Sequence, residues 1–450
     1  MSATQYIQDF QHTPEENDGT TPTVDTRPLP YVVSWNLTKR CDLACAHCYI
    51  SAGSWHTADD ELTVSECRRI TDEIMALTPA PMFILTGGEP LLRTDLEEIA
   101  NYASSQGATV VVGTNGTGLT EDRIASLKAA GVMGFAVSVD SLNSTYHDRF
   151  RHGDGALELT TAAIDRLQEA EMDFIVQTTI TPGNRDELSS LVAWSAERGA
   201  VSFNLYFLVE TGRGSTMRTL TAAQNDDVLR ELTALQREYR GRMLIRSKCQ
   251  PQWMRHIHEQ DQESPLLNYS TRCPCGVQYC RITPEGKVTP CPYLPAVAGD
   301  LRTQSFAEIW ETSPLLRDMQ TGTPKGKCGE CEYRKVCGGC RARAYARTGD
   351  HLAADDSCFY EPPGDLPLVQ PRQSVTYGTM AAPTLVWTAE ADGRMQRIPS
   401  FVRSVVVKRV EDYARRNGHA EITPELLDDI RKDMPIDFSK RLPFFLRKKS

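Results

Sequence analysis

The stretch Trp35-Asn36-Leu37-Thr38-Lys39-Arg40-Cys41-Asp42-Leu43-Ala44-Cys45-Ala46-His47-Cys48-Tyr49 sets three cysteines at C-x3-C-x2-C spacing directly after the apolar run Tyr31–Leu37. The run reads as a strand, so the cysteines fall on the loop at its end. A loop of this spacing can wrap three thiolates around one face of an iron–sulfur cube. A closed electron-transfer cluster takes four protein ligands, so three leave one iron open to a small molecule. The competing reading is zinc, which wants a fourth ligand nearby. His47 is the candidate, but it lies between two of the cysteines and is poorly placed to close the same tetrahedron.

Outward from this loop, β-branched runs recur at Met82–Thr86, Thr109–Gly113, Phe135–Val139, Phe174–Ile180 and Ser202–Val209. Helical stretches fill the gaps at Val64–Leu77, Asp95–Gln106, Glu121–Ala130, Leu157–Glu171 and Arg185–Arg198. Six strands alternating with helices predict an α/β fold with a parallel sheet. Right-handed crossovers curl such a sheet toward a partial (β/α)6 barrel, with the working residues where strands end and loops begin.

Composition bounds the partners. The 450 residues carry a formal net charge of −10, which argues against nucleic acid as the main partner. No run approaches the roughly 20 apolar residues of a membrane span. Residues 1–30 are polar and lack the basic-then-apolar order of a secretory signal, so they read as a flexible lead-in and the chain as cytoplasmic. In a reducing compartment, fourteen cysteines point to metal rather than to disulfides. The basic end, with Lys440, Arg441, Arg447, Lys448 and Lys449, reads as a solvated tail, the alternative being a contact for an acidic partner.

The expected domains are a lead-in at 1–30, an α/β core at 31–245, a cysteine-rich domain at 246–362, a linker at 363–376 and a small helical domain at 377–450. A helical stretch near Ala222–Tyr239 precedes ten clustered cysteines between Cys249 and Cys358, a segment that needs a metal staple to fold. Pro362, Pro363, Gly364, Pro367 and Pro371 mark the linker. Beyond it, Ser400–Asn417 predicts an amphipathic helix with Val402, Val406, Val410 and Tyr413 on one face and Gly418 as the stop. Thr423-Pro424 predicts the start of another helix.

The cysteine motif, followed by Tyr49, resembles the signature of radical S-adenosylmethionine (SAM) enzymes, and further motifs of that family stand in register. Thr86-Gly87-Gly88-Glu89-Pro90 ends the second strand, Thr114-Asn115-Gly116 the third and Ser138-Val139-Asp140-Ser141 the fourth. The resemblance implies a [4Fe–4S] cluster on Cys41, Cys45 and Cys48, with SAM on its open iron. It implies that Gly87, Gly88, Glu89 and Pro90 meet the SAM amino group, the glycines by close backbone approach and Glu89 as a charge-assisted acceptor. Asn115, Ser138 and Asp140 would add polar contacts, Ser138 and Asp140 near the ribose or carboxylate. Arg151 stands where the family often has an arginine for the SAM carboxylate, although His152 replaces the usual glycine after it. Ordinary loop capping is the competing reading for each of these polar residues. The implied chemistry is one-electron cleavage of SAM to a 5′-deoxyadenosyl radical that abstracts hydrogen from a substrate, with ferredoxin or flavodoxin as a suitable reductant.

The later cysteines run Cys273-x-Cys275-x4-Cys280, Gly286-x4-Cys291, Cys328-x2-Cys331-x5-Cys337-x2-Cys340 and Cys358. This resembles the SPASM extension, which binds two auxiliary [4Fe–4S] clusters; Gly338 and Gly339 make the last gap of the central quartet two residues where the family has three. The resemblance implies Cys273, Cys280, Cys291 and Cys340 for cluster I, and Cys328, Cys331, Cys337 and Cys358 for cluster II. Cys275 either replaces Cys273 or stays free. A zinc ribbon is the competing reading. Cys67 reads as a core residue, and Cys249 has no motif around it.

Four stretches resemble the SPASM enzymes that modify tetrapyrrole side chains in heme and heme d1 synthesis: Leu208–Gly214, Tyr279–Pro284, Thr289–Pro295 and Cys337–Ala344. The C-terminal unit resembles a domain of a light-independent protochlorophyllide reductase subunit, the alternative being a generic helical appendage. The implied function is removal or remodelling of carboxylate side chains on a tetrapyrrole, with Arg213, Arg281, Arg341 and Arg343 as candidate carboxylate partners. The alternatives are a peptide maturase that forms thioether or carbon–carbon links, and a non-catalytic iron–sulfur electron-transfer protein.

Overall fold

Seven parallel strands follow one another across a single sheet in chain order: β1 (Val32–Thr38), β2 (Met82–Gly87), β3 (Thr109–Thr114), β4 (Val132–Ser138), β5 (Asp173–Ile180), β6 (Ser202–Phe207) and β7 (Leu244–Lys248). The computed structural model describes residues 28–78, 81–268, 272–371, 383–396 and 400–432. Most of the expected lead-in, part of the expected linker and the basic tail lie outside the described residues. Helices α1 (Val64–Leu77), α2 (Leu96–Ser105), α3 (Glu121–Ala129), α4 (Ser144–Arg151), α5 (Ala156–Glu169), α6 (Leu188–Glu197) and α7 (Ala222–Glu238) lie between the strands. The cysteine-rich segment extends the same sheet. There β8 (Tyr279–Ile282) pairs with β1 in parallel, and β9 (Lys287–Thr289) and β10 (Gly299–Asp300) follow antiparallel. The sheet ends at β7 and β10 and is an open barrel. Helices α8 (Trp253–Gln260), α9 (Phe306–Thr312), α10 (Pro314–Thr321), α11 (Lys327–Glu330) and α12 (Arg341–Thr348) complete this part.

The expected α/β class and its six strands are present, with three differences. β7 is an additional strand and runs across the boundary expected at residue 245. Its alternate polar residues, Arg246 and Lys248, hide it from a search for apolar runs. α4 is an eight-residue helix of polar sequence opened by Asn143, whose side chain accepts from the Tyr146 amide. Arg185–Glu187, expected as helix, is a 3-10 turn before α6.

Side-chain alternation sorts the sheet into two faces. Val33, Trp35 and Leu37 of β1, Phe83 and Leu85 of β2, Val110 and Val112 of β3, Phe135 and Val137 of β4, and Phe203 and Leu205 of β6 all enter one buried core. Cys67 joins that core, as expected. Their alternates, including Ser34, Asn36, Ser138, Gln177, Tyr206 and Lys248, fall on the other face.

The C-terminal unit has its own small core. α13 (Ala389–Gln396), α14 (Ser400–Arg416) and α15 (Pro424–Lys432) pack through Ala391, Met395, Val407, Val410, Ala414, Leu426 and Ile430. A two-strand pair, β11 (Val386–Trp387) with β12 (Glu421–Ile422), adds Ile422. On α14, Val410 is buried as expected, Val406 and Tyr413 flank the core, and the Val402 side chain lies outside the described residues. The innermost row is Val407, Val410 and Ala414. Glu411 is the polar anchor: it accepts from the Thr384 amide at 2.8 Å, the Leu385 amide at 3.0 Å and the Trp387 indole at 3.0 Å. Burial raises its carboxyl, but these donors outweigh burial and hold it below the usual range.

Glu411→Ala leaves the Thr384 and Leu385 amides and the Trp387 indole, among other donors, without their acceptor and costs this unit about 1–3 kcal/mol. The expected result is faster amide exchange in α13–α15, with the sheet unaffected. Because the folded-state pKa of Glu411 is depressed, its contribution is complete above the unfolded carboxylate pKa and is lost as pH falls through the folded value. In the parent, amide exchange at acid pH therefore opens this unit sooner than in neutral buffer.

Candidate active site

The strand ends of β1–β4 converge on the Cys41–Cys48 loop. Cys41 and Cys45 are buried and Cys48 is half-buried. Donors point at all three sulfurs: Asn115 Nδ2 at 4.0 Å from Cys41 Sγ, Arg151 Nη1 at 3.8 Å from Cys45 Sγ, and the Ala52 backbone amide at 3.3 Å from Cys48 Sγ. Donors of this kind stabilise thiolates, which iron requires of its ligands. Without a metal, burial pushes the Cys41 and Cys45 thiols above their usual range. The loop is strapped from outside by Arg213, which donates to Cys45 O at 2.8 Å and Ala52 O at 2.7 Å. His47 stacks on Phe150 with ring centroids 4.6 Å apart, and burial lowers its imidazole to about 4.

The Gly87–Pro90 turn packs against this loop backbone to backbone. The Gly88 amide donates to Thr38 O at 2.7 Å and the Glu89 amide to Arg40 O at 2.8 Å. A Cβ on Gly87 would lie 2.4 Å from Thr38 O, and one on Gly88 would lie 2.1 Å from Arg40 O. Backbone contact with the cysteine loop thus requires both glycines. Glu89 is likewise engaged by protein. It accepts from the Leu91 amide at 3.1 Å, the Thr114 hydroxyl at 2.8 Å and the Asn115 amide at 2.8 Å. Burial raises its carboxyl to about 7 against these donors. Its observed role is to clamp the end of β2 to the end of β3, and Pro90 opens a short 3-10 turn behind it.

Asn115 donates to Asp42 at 2.8 Å, tying the third strand end to the cysteine loop. Asp140 is fully buried, accepts from the Thr179 amide at 2.7 Å and pairs with Arg151 at 2.6 Å. Burial would raise Asp140, but the Arg151 guanidinium outweighs it and holds the carboxyl below its usual range. Arg151, expected at the SAM carboxylate, therefore links Asp140 to Cys45. Half-buried Ser138 ends β4 on the polar face, and Ser141 donates to Glu187 at 2.6 Å.

Comparison with known proteins accounts for this arrangement. The sequence pattern of the radical SAM superfamily matches residues 35–194, and that of an iron–sulfur cluster-binding domain, SPASM, matches residues 273–341. The chain is 38% identical over 343 residues to an AdoMet-dependent heme synthase of Methanosarcina barkeri, covering 74% of this chain and 97% of that protein.

The chain belongs to the radical SAM superfamily.

It is also 30% identical to a pre-heme d1 synthase of Dinoroseobacter shibae, over 74% of this chain and 86% of that one. The fold matches SuiB of Streptococcus suis bound to S-adenosylmethionine with a TM-score of 0.61 at 14% identity, covering 74% and 78% of the two chains. Residues 387–431 match the pattern of a proto-chlorophyllide reductase 57 kD subunit. The chain is a radical SAM enzyme whose cofactors are SAM, a [4Fe–4S] cluster and auxiliary iron–sulfur clusters. No helix among the described residues is long and apolar enough to cross a membrane.

The auxiliary thiols fall into two groups. Cys328, Cys331, Cys337 and Cys358 line one cavity, and the Gly339 and Asp355 amides point at Cys337 Sγ and Cys328 Sγ, each at 3.4 Å. This set fits a four-iron cluster with four protein ligands. In the second group Cys275, Cys291 and Cys340 pack together with half-buried Cys249 and Cys273. Cys280, expected in this group, lies instead in the main apolar core. It occupies the buried face of β8, opposite Val33 of β1. Among the described residues no three His, Cys, Asp or Glu side chains converge as ligands of a single metal ion.

Between the Cys41–Cys48 loop and the second thiol group, the polar face carries a tyrosine cluster. Tyr49 accepts from Asn36 at 2.7 Å and lies 5.2 Å, ring to ring, from Tyr293, which lies 6.4 Å from Tyr206. Arg281 sits 6.0 Å from the Tyr49 ring and donates to Pro292 O at 3.0 Å. Arg341 donates to His351 O and Ala353 O, and Arg343 pairs with Asp355 at 3.2 Å. All four arginines read as carboxylate partners thus hold protein groups. Sequence reasoning missed Lys248. Among the described residues its amine makes no hydrogen bond or ion pair, and burial pushes it down to about 7. It lies beside Tyr206 across the β6–β7 ladder.

Asp140→Asn strands the Arg151 charge and is expected to cost about 3–5 kcal/mol, read as a lower denaturant midpoint of the iron-free chain. Adding Arg151→Met is expected to recover part of that loss.

Proposed function

We propose that this chain removes carboxylate groups from side chains of an iron tetrapyrrole, converting carboxyethyl groups to vinyl groups as a heme synthase would. The likeness to the AdoMet-dependent heme synthase, along nearly all of that protein, carries the reading. The match of the C-terminal unit to a protochlorophyllide reductase subunit supports it. So does the polar face of the sheet. The rings of Tyr49, Tyr206 and Tyr293 offer flat apolar area with phenol edges, a suitable wall for a planar macrocycle.

Turning a carboxyethyl chain into a vinyl group removes one hydrogen atom, CO2 and one electron. Bound SAM and its cluster supply the hydrogen abstraction. The chain's own residues position the reaction. Glu89, Asp140 and Arg151 hold the loops around the SAM site, and the tyrosine wall excludes water. Lys248, beside Arg246 on the polar face of β7, is a cation placed to anchor a substrate carboxylate. An auxiliary cluster is a suitable acceptor for the last electron, and a ferredoxin or flavodoxin is a suitable reductant for the first.

The test is anaerobic incubation with SAM, dithionite and iron-coproporphyrin III, with didecarboxysiroheme in a parallel arm. The expected products are 5′-deoxyadenosine and a tetrapyrrole bearing new vinyl groups by mass spectrometry. If neither tetrapyrrole raises 5′-deoxyadenosine above the substrate-free control, the proposal fails. Lys248→Met is expected to raise KM for the tetrapyrrole about tenfold or more, as loss of a charged hydrogen bond of about 1.5–3 kcal/mol predicts, with SAM affinity unchanged.

A further inference from the structure

We infer that Cys249 is a ligand of the first auxiliary cluster and that Cys280 is not. Three observations on different elements carry this.

The first is the face of β8. Tyr279 bonds Ser34 and Arg281 approaches Tyr49, so the odd-numbered residues of β8 face the site. Alternation sends Cys280 and Ile282 to the opposite face, where both are fully buried in the main core with Val33 and Trp35. Among the described residues Cys280 belongs to that core, whereas Cys249, Cys273, Cys275, Cys291 and Cys340 gather in a separate cluster. To reach the other thiols, Cys280 would have to cross its own sheet.

The second is the thiol arrangement itself. The Cys249 thiol bonds Cys340 and lies near Cys291, while Cys275 bonds both Cys273 and Cys291. Cys249 and Cys340 thus form one end of the group, Cys273 and Cys275 the other, and Cys291 touches both. A cube held by Cys249, Cys291, Cys340 and one thiol of the Cys273/Cys275 pair uses both ends.

The third is the backbone at Cys249. Its φ is +61°, a left-handed conformation that costs a non-glycine residue about 1 kcal/mol or more. The turn is held there from both sides. Ser247 donates to Gln250 O at 3.1 Å, Gln250 donates to Ser357 at 3.2 Å, and Gln252 donates to Asp355 at 2.7 Å. Asp355 in turn accepts from the Cys340 amide at 2.8 Å. The turn after β7 is therefore fixed to the loop that carries Cys340, and its strain aims a thiol into the group.

Cys249→Gly tests this directly, because glycine adopts the same φ without strain. Cys41, Cys45 and Cys48 are first changed to alanine in the full-length chain, so that only auxiliary clusters remain. The readouts are iron and sulfide content and the Mössbauer and EPR spectra after anaerobic reconstitution, with circular dichroism as the check on folding. Cys249→Gly is expected to remove about four of roughly eight irons, or to leave a three-iron signal, while Cys280→Ala keeps the full complement. Full iron with unchanged spectra in Cys249→Gly overturns the inference, and so does loss of a cluster in Cys280→Ala. Should Cys280→Ala disturb the core, Cys280→Val conserves apolar bulk without a thiol and must still hold both clusters. These readouts need no tetrapyrrole, so they stand or fall separately from the proposed reaction.

Discussion

Strands β1–β9 each bury one face in the apolar core, and side chains alternate along a strand. Those two facts together decide what faces the cofactor site. Once Val33, Trp35 and Leu37 enter the core, Ser34 and Asn36 must turn the other way, and Asn36 then receives Tyr49 from the cysteine loop. The same logic places Gln177 and Tyr206 together, where they share a hydrogen bond of 3.3 Å. Parallel pairing in chain order brings the ends of β1–β4 to one edge, so four loops distant in sequence meet around three thiols. A one-residue slip in any strand would exchange its site residues for its core residues.

Buried polar clamps finish what the sheet begins. Glu89 and Asp140 are carboxylates with almost no access to water, which is costly unless every oxygen is used. Each is engaged on both oxygens, Glu89 by donors from two strand ends and Asp140 by the Thr179 amide and Arg151. Such groups add little net stability compared with an apolar core, but they fix geometry, and a loop that must hold a cluster beside a ligand needs that. The family motifs are therefore legible in two ways at once: the same residues bring loops together and define the pocket they surround.

Much of this was readable in the sequence because it is local. The C-x3-C-x2-C loop, the glycine turn and the strand–helix alternation each occupy a short window, and the structure returns them within a few residues. The readings that changed are those for which spacing carries no spatial information. Cys280 stands between two cysteines of the expected set, yet its strand turns it away; the alternation Tyr279-Cys280-Arg281-Ile282, with Ile282 as the apolar partner of Cys280, was the available signal. Charge marks the arginines as candidates, but their guanidinium groups span gaps between loops and bond backbone carbonyls or Asp355 there. β7 carries little apolar signal, since only Leu244 and Ile245 of its residues are apolar, and Lys248 and the turn at Cys249 share that obscurity.

The two auxiliary thiol groups are also bound to each other. Asp355 donates its amide to Cys328 Sγ in one group and accepts the Cys340 amide of the other. Its carboxylate further holds Arg343 and Gln252, the latter on the turn after β7. This residue has no exposed surface and no partner it could lose cheaply. The loops around both groups therefore share one strut, and ordering either group lowers the entropic cost of ordering the other. In a segment with few strands and little apolar periodicity, metal loading and folding are expected to proceed together, with β8 and its register to β1 as the template on which the cysteine-rich loops assemble.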